Sequence, residues 1–298
     1  MPIVGRGGAP LQLAPVTSPV QDLLDLLDLE AIEVNIFRGA QPREPSPHLQ
    51  RVFGGQVAGQ ALVAAGRTVD PDRRVHSLHA YFLRPGDMTI PILYDVDHIR
   101  DGRSFTTRRV VAIQHGRVIF NLQASFQVPE DGYEHQDEMP DVPAPDEVPT
   151  MRERFESAGI EWQSPATAID VRHVGSPAFF NRDHDRVDQH VWFRAAGRLP
   201  DDPILHTCVV TYASDMTLLD TALLPHGRTF GDTGLQMASL DHAMWFHRPF
   251  RADEWLLYSQ HTPSASSSRG LATGSIFRQD GALAVSVVQE GLIRRSNP

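Results

Sequence analysis

An ordered set of short motifs occurs twice along this chain, at a nearly constant spacing of about 164 residues. Ser77-Leu78-His79-Ala80 returns as Ser239-Leu240-Asp241-His242-Ala243, Arg84-Pro85 as Arg248-Pro249, Tyr94 as Tyr258, and the Gly116 turn as the Gly281 turn. One shared dipeptide is a common accident, whereas an ordered series is not. An internal duplication is therefore expected, against the rival of two unrelated sheets with common turn chemistry. The length of 298 residues suits two units of roughly 100–150 residues each.

Each copy reads as a short buried helix followed by a run of strands. Ser18-Pro19-Val20-Gln21 is a helix start, with Ser as N-cap and Pro at the first position, and the helix is expected to run on through Ile32. Phe53–Ala65 has small and apolar residues all round, the pattern of a helix buried on most sides, and Gly54 and Gly55 permit close backbone approach at its start. Strands are expected at Val75–Leu83, Ile92–Val96, Phe105–Gln114 and Val118–Gln127, with His115-Gly116 as a hairpin turn and Asp101-Gly102 as another turn. Met151–Ala158 reads as helical. In the second copy Asp215–Leu224 reads as the helix, stopped by Pro225 and Gly227. Its strands are expected at Val191–Ala195, Met237–Phe246, Trp255–His261, Gly270–Phe277 and Leu283–Gln289, with a last hairpin at Asp280-Gly281. The implied organisation is a disordered arm over 1–19, a first half over 20–128, a proline-rich, acidic linker and surface excursion over 129–185, and a second half over 186–298. One helix cannot cover two sheets, so the two sheets are expected to pair edge to edge or side by side.

Composition removes several function classes. A formal charge of −10 disfavours nonspecific binding to nucleic acid or an anionic membrane. No apolar stretch is long enough for a bilayer span, and the first residues lack the apolar core of a secretory signal. The last residues lack a Ser-Lys-Leu type of address, so the cytoplasm is the expected compartment. Cys208 is the single cysteine, which excludes an internal disulfide, and its apolar neighbours mark it as a buried small hydrophobe. There is no Gly-x-Ser-x-Gly elbow, no zinc-type His or Cys spacing and no phosphate-cradling glycine motif, so no metal and no cofactor is implied.

What remains is polar residues in apolar settings. Asp215 is read as opening the second buried helix, where a carboxylate serves either as a cap or, held ionised by free N–H groups, as a proton acceptor. Ser239 lies in an apolar strand, and Gln289 ends another. A lone serine on a strand is more often structural, and core or edge pairing explains a buried amide such as Gln289. His76 and His79 are separated by an odd spacing, so a regular strand points them to opposite faces and they make a poor metal pair. Arg100, Arg103, Arg108 and Arg109 surround Asp101-Gly102-Arg103-Ser104-Phe105, suited either to phosphate or to an exposed charged strand.

Taken together, Val52–Leu62, Tyr81–Gly86, Arg100–Phe105, Tyr212–Asp215, Leu240–Pro249, Trp255–Tyr258 and Val288–Gly291 resemble the acyl-CoA thioesterase II (TesB-type) family from about residue 20 to residue 294. The resemblance implies an α+β tandem, or double, hotdog fold, with an antiparallel sheet wrapped around a central helix in each half. It implies hydrolysis of fatty acyl-CoA to free fatty acid and CoA, without metal or covalent nucleophile, by a water positioned by an Asp, a Ser or Thr, and a Gln. By motif these are Asp215, Ser239 and Gln289. Arg100, Arg103 and Ser104 are the implied contacts to the CoA phosphates, and a homodimer or higher homo-oligomer is the implied assembly. All three candidate catalytic positions fall in the second half, so one competent site per chain is expected. Two rivals stand: a hotdog hydratase or dehydratase, whose Gly-Asp-x-Asn-Pro-x-His string is absent, and a non-catalytic acyl-CoA binder.

Overall fold

The computed structural model describes residues 18–42, 51–161, 167–177, 180, 182–184 and 186–295. Most of the expected N-terminal arm lies outside the described residues. Helix α1 (Pro19–Leu27) starts as the sequence predicts, with the Ser18 hydroxyl accepting the Gln21 N–H at 3.2 Å. It stops at Leu27 rather than running on to Ile32. The chain turns at Asp28 into strand β1 (Glu30–Glu33), which forms a hairpin with β2 (Ile36–Gly39) through Asn35 at φ 61°. Asn tolerates that left-handed conformation, so a local turn ends the apparent helical run.

Helix α2 (Gly54–Gly66) is buried on nearly all sides. Strands β3 (Arg74–Phe82), β4 (Ile92–Asp101), β5 (Phe105–Gln114) and β6 (Arg117–Gln127) complete the first half. β4 outruns the expected Ile92–Val96 because its second part is mostly exposed and gives no apolar alternation. His115 and Gly116 both take positive φ in the β5–β6 turn, as a tight hairpin requires. Further along lie α3 (Met151–Ser157), capped by Thr150, then β7 (Ile169–His173) and β8 (Asp188–Ala195). The central helix of the second half is α4 (Pro203–Ser214), and not Asp215–Leu224 as expected. Asp202 caps its start, Pro203 opens it, and Asp215 closes it. Leu219–His226 is a 3-10 segment. Strands β9 (Leu235–Ser239), β10 (Asp241–Phe246), β11 (Leu256–Ser266), β12 (Arg269–Arg278) and β13 (Leu283–Arg295) follow.

Among the described residues all thirteen strands belong to one antiparallel sheet, ordered β1-β2-β4-β5-β6-β3-β10-β13-β12-β11-β8-β7, with β9 also on β13. The order is the same read from either end. In each half a two-strand edge precedes the central helix, β3 and β10 lie innermost, and the last three strands fill the gap; β9 adds to β13 in the second half only. The halves meet edge to edge at β3 and β10, where Leu78 pairs with Met244, His79 with Ala243 and Ala80 with His242. Under the 164-residue shift that carries the Tyr94–Ala112 pair onto Tyr258–Ile276, that register is symmetric about the His79–Ala243 pair, so a pseudo-twofold axis passes there; the match of Ser77 to Ser239 expected from sequence is displaced by two residues, and Val75 is the counterpart of Ser239. Inside the sheet, α2 and α4 run antiparallel. A Cβ on Gly55 would overlap the carbonyl oxygen of Tyr212, and one on Gly59 would lie 3.3 Å from that of Cys208. Residues 129–150 do more than link. Met139, Val142 and Val148 pack on Trp192, Leu257, Phe277 and Leu283, and the Trp192 indole N–H donates to Pro143 O at 2.9 Å.

Candidate active site

The last turn of α4 presents Asp215 at the seam between the halves. Its own helix gives a carboxylate no help there, because the C-terminal end of a helix carries partial negative charge. The expectation that Asp215 sits at a helix N-terminus is correct only across the seam, where α2 begins. The Gly55 N–H donates to the Asp215 carboxylate, and a Cβ on Gly54 would lie 2.6 Å from Asp215 Oδ2. Glycine at 54 is what lets the carboxylate come so close.

Ser239 ends β9, and its hydroxyl donates to Asp215 Oδ1 at 3.1 Å. Gln289, fully buried in β13, donates from Nε2 to the same oxygen at 2.6 Å. Residues 215, 239 and 289 thus converge on one atom. Gln289 Oε1 has no protein partner among the described residues. Burial is the main influence on Asp215 and raises its pKa. The bonds from Gln289, Ser239 and Gly55 and the charge of Arg51 pull the other way.

Two charged neighbours were not singled out from sequence. Asp220, in the 3-10 segment, is pushed up to about 7 by burial and by the nearby Asp215 charge. Arg51, just before α2, donates from Nη2 to Met237 O at 2.6 Å. The run Arg51-Val52-Phe53-Gly54-Gly55 precedes a recognised helix start, which was the available signal for Arg51. Asp220 gave none, because its segment was read as regular helix.

Behind Asp215, the buried His242 ring shares a 2.9 Å hydrogen bond with Ser214 Oγ, and burial lowers its pKa to about 4, so it stays neutral. The Tyr258 hydroxyl donates to Ser214 O at 3.3 Å. His76 and His79 both point to the outer face, because a bulge between Val75 and Ser77 breaks the alternation assumed from sequence. His76 bonds Ser125, and His79 stacks edge-on against Trp245. Among the described residues no cluster of His, Cys, Asp or Glu is placed to hold a metal ion. Cys208 is fully buried, which pushes its thiol pKa up.

Arg100, Arg103 and Ser104 are not brought to this site. Their hairpin packs at the other end of α2: Arg108 bonds Asp101 and the Thr68 hydroxyl and carbonyl, and Arg73 bonds Gly102 O. A helix of 13 residues separates the two ends by about 20 Å.

Comparison with known proteins agrees with this architecture. Residues 42–127 match the family model described as "Acyl-CoA thioesterase N-terminal domain", and residues 167–292 match "Acyl-CoA thioesterase". The chain is 42% identical over 284 residues to acyl-coenzyme A thioesterase 8 of Mus musculus, covering 90% of this chain and 88% of the relative. It superposes on the crystal structure of an acyl-CoA thioesterase II, TesB2, from Mycobacterium marinum with TM-score 0.76 and 50% identity, covering 91% of this chain and 97% of that one. A hot dog fold protein from Alicyclobacillus acidocaldarius, 20% identical, aligns with TM-score 0.75 over 95% of this chain and 100% of its own, which places the sheet and its helices in the hotdog fold. This chain belongs to the acyl-CoA thioesterase II (TesB-type) family and is a thioester hydrolase.

Proposed function

We propose that the chain is a double hotdog enzyme that hydrolyses fatty acyl-CoA to free fatty acid and CoA, with Asp215, Ser239 and Gln289 directing the attacking water. The observation that carries this reading is the convergence of Ser239 and Gln289 on Asp215 Oδ1 where the two halves meet. The double form is supported by the identical strand order of the two halves.

The chemistry follows from the groups present. A water placed by Asp215 and by the open Gln289 Oε1 gives a proton to the carboxylate as its oxygen attacks the thioester carbon. The tetrahedral oxyanion faces the first turn of α2, whose amides and dipole favour negative charge. Collapse breaks the C–S bond, and the proton held by Asp215 passes to the departing sulfur. The products are a fatty acid and CoA thiol. A carboxylate whose pKa is raised by burial suits both taking and returning that proton. Arg100, Arg103 and Ser104 serve as substrate contacts only to a part of the coenzyme remote from the thioester. No helix among the described residues is long and apolar enough to cross a membrane; a cytoplasmic homo-oligomer is the proposed state.

Thiol release measured across acyl-CoA chain lengths tests the reading. Asp215→Asn is expected to lower kcat by roughly 100-fold or more while the protein stays folded. Unchanged turnover in a folded Asp215→Asn protein would overturn the role of Asp215. A change in enoyl absorbance without thiol release would favour the hydratase rival, and tight acyl-CoA binding with no turnover would favour the binder.

A further inference from the structure

Arg51 belongs to the first half of the chain but acts on the second. Its backbone is held in place through Val52, which is buried and donates its N–H to Gly86 O at 3.0 Å. From there the half-buried guanidinium crosses the seam and donates to Met237 O at 2.6 Å, two residues before Ser239 on β9. A guanidinium carries five donors in a rigid fork, so the bond to a strand carbonyl leaves donors for a second acceptor nearby.

We propose that Arg51 is a positioning residue for hydrolysis: it clamps β9, and with it Ser239, against the start of α2, and it supplies a positive charge facing the Asp215 carboxylate. The proposal rests on the reading of Asp215 as the proton acceptor. The groups around that carboxylate come from every element packed on it. They are Gly55 N–H from α2, Ser239 from β9, Gln289 from β13, Tyr258 from β11, Asp220 from the 3-10 segment, and Arg51. Burial works against ionisation of Asp215, and the Asp215 charge helps to hold the neighbouring Asp220 protonated up to about pH 7. Arg51 is the cation that opposes burial, and its charge acts to lower the Asp215 pKa. Without it, the carboxylate is protonated at higher pH and Ser239 loses its register.

The test is the pH dependence of kcat for Arg51→Gln and Arg51→Lys, with KM and Tm recorded for each and Asp215→Asn as control. Arg51→Gln is expected to lower kcat roughly 10-fold or more and to move the acid limb upward by roughly half a pH unit or more. Arg51→Lys keeps the charge but not the fork. It is expected to restore the acid limb to its native position while kcat recovers only in part. A merely structural arginine would give lower kcat and Tm with the acid limb unmoved in both variants, and that result overturns the proposal. Should Arg51→Gln not fold, Arg51→Met, which keeps an apolar stem without the charge, takes its place: an acid limb moved upward supports the proposal and an unmoved one overturns it. Full turnover in Asp215→Asn would defeat the underlying site reading instead. An inactive Asp215→Asn beside an Arg51→Gln with native kcat and acid limb defeats the role of Arg51 alone.

Discussion

Asp215 is under opposing demands. Burial favours its neutral form, while three donors and one cation favour its charge. Each donor removed should therefore cost rate and raise the pH at which activity is lost. Gln289→Ala removes the 2.6 Å bond to Oδ1, so kcat should fall by about 100-fold and the acid limb of the kcat profile should move up. Ser239→Thr keeps the hydroxyl and should stay within a few-fold of native, whereas Ser239→Ala should lose more; thiol release separates them. The raised pKa also has a stability sign. With the folded value above the usual carboxylate value of about 3.9, stability falls as pH rises from there through the folded pKa. Asp215→Asn removes that penalty, so its Tm at pH 7 should not drop. At this scale a motif carried Asp215, Ser239 and Gln289, and the structure brings those three side chains together. The sequence was silent on Asp220 and Arg51, because what they stand beside lies in the fold and not in a motif.

Between elements, the decisive contact is α2 against α4. Gly55 faces the Tyr212 carbonyl so closely that any Cβ overlaps it. Gly55→Ala should force the helix backbones apart, costing about 1–3 kcal/mol by chemical denaturation, and should lower kcat because the Gly55 N–H leaves Asp215. The glycine pair was legible in sequence as a place of close approach, although its partner was not. Helix α4 was missed even though Asp202-Pro203 repeats the Ser18-Pro19 start signal. Its residues are buried on nearly every side, so it lacks the one-sided apolar stripe that marks a surface helix. The 3-10 segment, with an apolar run before Pro225, took its place in the reading. Most strands were legible because alternation survives wherever one face is buried. It failed at the outer part of β4 and at the bulge of β3, where exposure and an extra residue remove the period.

For the whole molecule, the repeat in sequence becomes a pseudo-twofold axis through His79 and Ala243. The axis maps the candidate site onto a second place where α2 ends and α4 begins. There the C-cap is Arg67 in place of Asp215. The strand registers put Val75 where Ser239 stands and Ala124 where Gln289 stands. No carboxylate, hydroxyl or amide remains at those three positions. Titration with a non-hydrolysable acyl-CoA thioether should therefore saturate at one per chain, and a stoichiometry of two would contradict the mapping. The repeat was legible because its motifs are spaced regularly, and the matching strand order of the two halves supports it. The position of the site on the seam was not, because it depends on the start of one helix meeting the end of the other.

That second seam bears on how such a molecule can change. When two separate identical subunits pair, every substitution is written into both seams at once, and a residue that harms chemistry in one harms it in the other. Joining the copies in a single chain lifts that coupling. Arg67 illustrates the freedom gained: its guanidinium turns outward to Asp28, 2.6 Å away, and to the Leu29 carbonyl, tying α1 to the core. One seam thus carries an arginine turned to the neighbouring helix, while its twin carries a buried carboxylate.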